Sequence, residues 1–176
     1  LSFAGDSGRT RMASLVVGAT GTIGRAVARA MRVDGREVLE VSRSADGFDL
    51  LDESSIKCYF QGLQERNVVL RDVFVATGKL AHGSSPERKL GDFNCSTASE
   101  LFRINAIGPL LVLKHCIPLL PRSERVTFSA MSARVGSILD NRSGGWYSYR
   151  AAKAALNQYL RSASVELGRT HRQSVV

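Results

Sequence analysis

The sequence predicts an α/β chain with a doubly wound parallel sheet, a Rossmann fold. Three observations lead there. Short β-branched runs alternate with amphipathic stretches of helical length, the pattern of successive βαβ units. A glycine-rich turn, Gly18-Ala-Thr-Gly21-Thr-Ile-Gly24, joins the first run to the first helical stretch. The run Asp72–Ala76 is mostly apolar, as in strands buried on both faces.

Taken in order, Leu15–Val17 reads as the first strand and Thr22–Val33 as a helix with Ile23, Val27, Ala30 and Met31 on its apolar face. Glu37–Ser42 reads as a second strand, with a short third near Phe48–Leu51 and a helix starting after Asp52. Asp72–Ala76 follows, then a polar loop from Gly78 to Gly91 that carries Gly, Ser and Pro. Thr97–Leu120 is expected as one long helix bent at Gly108-Pro109. Arg125–Met131 is the next strand, and residues 132–146 are a Gly- and Ser-bearing loop. Tyr147–Gly168 reads as a helix ended by glycine, and Gln173–Val176 as the opening of one more strand.

With 176 residues, 44% hydrophobic and 23% charged, the composition is that of one globular domain and excludes disorder and low-complexity architectures. No apolar run is long enough for a membrane span. Residues 1–11 lack the long apolar segment of a secretory signal and read as leader or added residues before Met12, with residues 12–176 as the domain. The net charge of +8 permits nucleic-acid binding, but its distribution speaks against it. Arg25, Arg29, Arg32 and Arg36 fall on one helical stripe facing solvent, and no basic stretch is interleaved with aromatics. Cys58, Cys95 and Cys116 are odd in number and widely spaced, which fits neither a disulfide framework nor a metal site and points to a reducing cytoplasm. His82, His115 and His171 show no ligand spacing and read as surface or packing residues.

The turn from Gly18 to Gly24 carries the first chemistry. Glycines permit a tight turn and close approach of a pyrophosphate, while the helix N-terminus offers N–H groups and positive dipole. The spacing is GxxGxxG rather than GxGxxG, and Thr20, Thr22 and Ile23 complete the segment. A plain tight turn is the alternative reading. The end of the second strand then selects the cofactor, because a carboxylate there suits a ribose hydroxyl and an arginine a 2′-phosphate. Ser42-Arg43 occupies that end, favouring NADP over NAD, while Glu40 lies two residues inside the strand.

Tyr149 and Lys153 stand four apart on the last helix and share a face. An ammonium near a phenol favours the phenolate and adapts the pair for acid–base work. An exposed i, i+4 pair is the bland alternative. Gly144-Gly145-Trp146 just before it makes a close-packed lead-in to the helix.

The phosphate turn, Asn105, Ser132 and Tyr149-Arg-Ala-Ala-Lys153 together resemble the short-chain dehydrogenase/reductase family. The stretches from Met131 to Ile138 and from Gly144 to Asn157 are most similar to its carbonyl-reductase branch, which includes the bacterial C-factor proteins and the insect reductase sniffer. The resemblance runs from about Ala13 to Val176. It implies Tyr149 as the general acid to the carbonyl oxygen and Lys153 as the group that holds the nicotinamide ribose and lowers the tyrosine pKa. It implies Ser132 as the residue orienting the carbonyl, Asn105 as the holder of a relay water, and Asp49, with Leu50 beside it, near the adenine. Asn105 can also be read as a helix-kink residue beside Gly108-Pro109, and Ser132 as a serine satisfying a loop backbone.

The sequence departs from the family in places. The usual Asn-Asn-Ala-Gly reads Val75-Ala76-Thr77-Gly78, in which only the glycine that makes room for the cofactor survives intact. Ser132-Ala133 stands where many relatives have two serines, the second catalytic, with Ser137 a distant reserve. Relatives continue beyond Val176 through a further strand and a substrate-covering segment, so a fragment or a truncated product with impaired activity is expected. The resulting expectation is an NADP-dependent oxidoreductase acting on a ketone or aldehyde, forming a dimer or tetramer, with a nucleotide-binding signalling protein on the same fold as the alternative.

Overall fold

The mostly apolar run at residues 13–17 is buried because it forms an inner strand of a sheet that helices cover on both faces. In the computed structural model, which describes residues 11–81, 83 and 85–176, β1 (Arg11–Val17) lies between β2 (Val38–Val41) and β3 (Val68–Val75). Beyond β3 follow β4 (Val126–Ala130) and β5 (Ser174–Val175), and every pairing is parallel. The chain steps from β1 outward to β2, then crosses to the other side of β1 to form β3. That reversal leaves a crevice at the carboxyl ends of β1 and β3, the place where open α/β sheets bind ligands.

The helices divide unequally between the faces. α1 (Thr22–Val33) covers one face, where Val16, Ala19 and Ala28 form a small cluster with Val27, Met31, Val38 and Phe74 packed on it. The main core fills the other face, between strand residues such as Leu15, Val17, Val75 and Phe128 and the side chains Ile56, Leu63, Val112 and Leu113. Those come from α3 (Glu53–Glu65) and α5 (Gly108–Cys116). α6 (Tyr147–Leu167) packs beside them through Leu160, Ala163 and Leu167.

α1 has the predicted boundaries, but its buried stripe is Gly24 and Ala28, with Val27 and Met31 half-buried, while Ile23 and Ala30 face outward. Small residues win because the helix lies close on the turn. A Cβ at Gly24 would overlap the Gly18 carbonyl oxygen and sit 2.9 Å from Ala19 Cα. The arginine stripe also ends early: Arg36 follows the helix and bonds the Asp72 carboxylate at 2.9 Å, which also accepts from Ser14 Oγ.

No strand forms at Phe48–Leu51. Short α2 (Arg43–Asp46) ends in Gly47 at φ 69°, and the Asp49 carboxylate accepts the Leu51 N–H at 2.9 Å. Backbone groups are thus satisfied locally, while Phe48 turns inward against the edges of Tyr59 and Phe60. β3 starts at Val68, earlier than Asp72, with a bulge at Arg71 that leaves this residue without a partner across β1. The predicted long helix is α4 (Cys95–Phe102), a π-helical turn (Arg103–Ile107) and α5, followed by one 3₁₀ turn. The irregularity therefore lies just before Gly108-Pro109. Pro109 has no N–H to give to the Asn105 carbonyl and its ring needs room there, so the turn widens.

Cys58 and Cys95 are exposed and Cys116 is buried, all as free thiols. His115 bonds Glu53 at 2.9 Å, His171 is buried beside Thr170, and His82 lies outside the described residues. Replacing Gly24 with alanine should lower stability by about 1–3 kcal/mol through overpacking, read as a lower urea midpoint at unchanged slope.

Candidate active site

The crevice at the carboxyl ends of β1, β2 and β3 holds a cavity of about 350 Å³. Its walls include Gly18 and Gly21 from the turn, Ser42 and Arg43 after β2, Asp49 and Leu50, and Ala76, Thr77 and Gly78 after β3. Gly18 has φ 81°, and a Cβ on it would press 2.7 Å from the Thr77 side chain. Glycine is therefore required both by conformation and by space. Gly21 caps α1 without any side-chain bond, so the first-turn N–H groups stay available for an anion. A larger cavity, about 660 Å³, opens at the opposite ends of the strands around Asp72 and Arg71 and contains none of the predicted site residues.

Not every predicted binding residue reaches the cavity. Thr20, Thr22 and Ile23 are exposed on the turn and are not part of its walls. Gly24 is buried and serves helix packing. Ser42 caps α2, accepting the Ala45 N–H at 3.2 Å. Glu40 is paired with Arg32 of α1, which leaves Arg43 facing the cavity. Phe48, Lys79 and Ile104 also line it. Their chain neighbours Asp49, Gly78 and Asn105 carried the motif signals, and these three did not.

Beside Gly78 the chemistry-bearing side chains converge. A Cβ at Gly78 would lie 3.3 Å from Asn105 Oδ1 and 3.5 Å from Lys153 Nζ. Asn105 is fully buried in the π-helical turn. Its Oδ1 accepts the Lys79 N–H at 3.0 Å, and Nδ2 donates to the carbonyls of Lys79 at 2.8 Å and Leu101 at 2.9 Å. It therefore pins the segment after β3 to the helix. Lys153 is 1% exposed and donates to the Met131 carbonyl at 2.6 Å. Burial lowers its pKa from 10.5 to about 8.

Tyr149 is half-buried, with Lys153 Nζ 5.7 Å from its ring centroid. Partial burial raises its pKa, the reverse of the lowering expected from the neighbouring lysine. The ammonium lies over the ring, so desolvation of the phenol dominates. The pair therefore presents a neutral phenol at neutral pH. Ser132 follows Met131 and donates its hydroxyl to Asn157 Oδ1 of α6 at 2.6 Å. Ser137 lies elsewhere, in a separate cavity bounded by Tyr147, Arg150 and Ala154.

Comparison with known proteins bears directly on this arrangement. The sequence pattern that defines short chain dehydrogenases matches residues 13–175. The chain belongs to the short-chain dehydrogenase family. It is 31% identical over 155 residues to the 1-hydroxy-2-glutathionyl-2-methyl-3-butene dehydrogenase of Rhodococcus sp. strain AD45, an alignment covering 81% of this chain and 66% of that protein. It is 40% identical over 78 residues to the C-signal protein of Myxococcus xanthus, covering 44% of this chain and 47% of the relative. Among solved structures, a carbonyl reductase from Pseudomonas aeruginosa PAO1 in complex with NADP superposes with a TM-score of 0.73 at 25% identity, over 90% of this chain and 74% of the other. This short-chain dehydrogenase thus spans 66% and 47% of the lengths of these two curated relatives.

The buried lysine of this family member has a measurable signature. Its folded pKa is depressed, so between pH 8 and 10.5 the unfolded chain binds more protons and stability rises with pH. Wild type should gain roughly 2–3 kcal/mol over that window relative to Lys153→Met, measured as urea unfolding free energies at both pH values.

Proposed function

We propose that this chain is the cofactor-binding and catalytic part of an NADP(H)-dependent oxidoreductase that interconverts a ketone or aldehyde and its alcohol. The observation that carries the reading is that buried Lys153 approaches both Gly78, a wall residue of the crevice beyond β1 and β3, and the ring of Tyr149. The residues present fit a dinucleotide. The glycine turn gives backbone access, the uncapped start of α1 suits a pyrophosphate, and Arg43 suits a 2′-phosphate. Thr77 Oγ1 is buried without a partner among the described residues, leaving a donor free at the cavity wall. The Pseudomonas relative bound to NADP supports the same choice.

When bound, the cofactor supplies the hydride. The chain supplies the proton and the orientation. Tyr149, neutral at physiological pH, donates its phenolic proton to the carbonyl oxygen of the substrate. Lys153, anchored on the Met131 carbonyl with its ammonium over the Tyr149 ring, would hold the nicotinamide ribose. Asn105 holds the Gly78–Lys79 backbone so that the cofactor side of the crevice stays open. Ser132 donates its hydroxyl proton in a hydrogen bond to the substrate carbonyl once it exchanges Asn157 for substrate. The small-molecule substrate enters from solvent, the site works in the cytoplasm, and two or four copies assemble. No described helix is long and apolar enough to cross a membrane.

Three observations favour a second reading, a nucleotide-binding signalling protein. The Ser132 hydroxyl is committed to Asn157, Ala133 has none, and the C-signal protein is 40% identical over 78 residues. Turnover separates the two. With NADPH and a panel of ketones and aldehydes, Tyr149→Phe should lower kcat by about 10²- to 10⁴-fold while cofactor affinity holds. Saturable NADPH binding without turnover of any carbonyl would favour the signalling reading. In fluorescence titrations Arg43→Asp should weaken NADPH binding by about tenfold to a hundredfold and leave NADH binding little changed. Unchanged relative affinities would remove Arg43 from the site.

A further inference from the structure

The chain enters α6 through three successive residues in the left-handed region: Gly144 at φ 62°, Gly145 at 67° and Trp146 at 50°. Two glycines adopt this freely, but a tryptophan does so only against contact between its Cβ and the following carbonyl. Trp146 is also the N-cap of α6, and its side chain makes no capping bond. The helix carrying Tyr149 and Lys153 therefore begins at a strained residue with its first-turn N–H groups uncapped by its own sequence.

Glu87, sixty-one residues before Ser148, supplies what is missing. Its backbone carbonyl accepts the Trp146 N–H at 2.7 Å. Its carboxylate oxygen Oε1 accepts both the N–H of Ser148, at 3.4 Å, and the Ser148 hydroxyl. Glu87 is 6% and Ser148 5% exposed. A carboxylate against a helix N-terminus is favoured by the aligned peptide dipoles. A side chain at position 145 would bring a Cβ within 3.3 Å of the Glu87 carbonyl, so the glycine there permits the grip. The segment holding Glu87 is itself fixed, because Asp92 Oδ2 accepts the N–H groups of Arg88 and Lys89 at 3.0 and 3.1 Å.

Both contacts bear on Tyr149. Ser148 is its chain neighbour, and the Trp146 ring meets the Tyr149 ring edge to face with centroids 6.4 Å apart. We propose that Glu87 is the positioning residue for Tyr149: it clamps Trp146 and Ser148 from the loop after β3 and so fixes where the phenol points. This rests on Tyr149 as the proton donor, but the clamp can be tested without turnover. With ring-¹³C tyrosine in the 176-residue chain, Tyr149→Phe identifies the Tyr149 resonance by its disappearance.

In Glu87→Ala that resonance should shift or broaden, and amides of Ser148 and Tyr149 should exchange roughly tenfold faster. NADPH affinity should stay within about twofold, and on any carbonyl turned over, kcat should fall by roughly tenfold with little change in KM. Glu87→Gln, which keeps an acceptor for Ser148, should restore all of these towards wild type. Should Glu87→Ala fail to fold, Ser148→Ala, which removes one arm of the clamp, should show the same resonance change at smaller amplitude. A Tyr149 resonance and first-turn exchange unaltered in the folded variant would overturn the proposal. So would a Glu87→Gln variant as perturbed as Glu87→Ala. Absence of turnover in wild type would count against the carbonyl-reductase reading while the resonance still decided on the clamp.

Discussion

The ammonium of Lys153 governs the arrangement around it. A charge that is 1% exposed is costly unless it finds a partner, and here one carbonyl, that of Met131 just past β4, takes it at 2.6 Å. The end of β4 and the second turn of α6 must therefore meet at one distance. Gly78 after β3 has to come close without a side chain, and Asn105 has to hold the next peptide in place. A shift of any of these four segments would strand a buried charge. The same burial that makes the site demanding lowers the lysine pKa and raises that of Tyr149, so packing and proton chemistry have one cause.

What the sequence made legible was local. α1 begins and ends where its periodicity placed it, because its start at a glycine turn and its stop before Asp34-Gly35 are written in adjacent residues. Tyr149 and Lys153 share a face because helical spacing alone ensures it. The glycine turn and Arg43 meet at one crevice because each follows a strand end, and strand ends of a parallel sheet lie together; Asp49 joins them after the short α2.

What it concealed was set by distant contacts. Phe48–Leu51 has the composition of a strand, yet the Asp49 side chain satisfies the backbone and the aromatic side chain is drawn onto α3. The bulge at Arg71 depends on β1 and β3 lying side by side. Asn105 was found by its family motif, but its bonds to the peptide of Lys79 depend on a π-helical turn whose cause, Pro109, lies downstream. Glu87 gave no signal in its own loop, because its partners Trp146 and Ser148 are about sixty residues away.

The missing strand at residues 48–51 changes the outline of the sheet. It leaves β2 as an outer margin, where one row of N–H and C=O groups has no strand beside it among the described residues. That margin is only four residues long, and Glu40, anchored by Arg32 of α1, sits on it as a charge. An incoming extended peptide would find little length to pair with and a carboxylate in its path. Shortening the sheet on this side thus leaves an edge that resists polymerising strand upon strand.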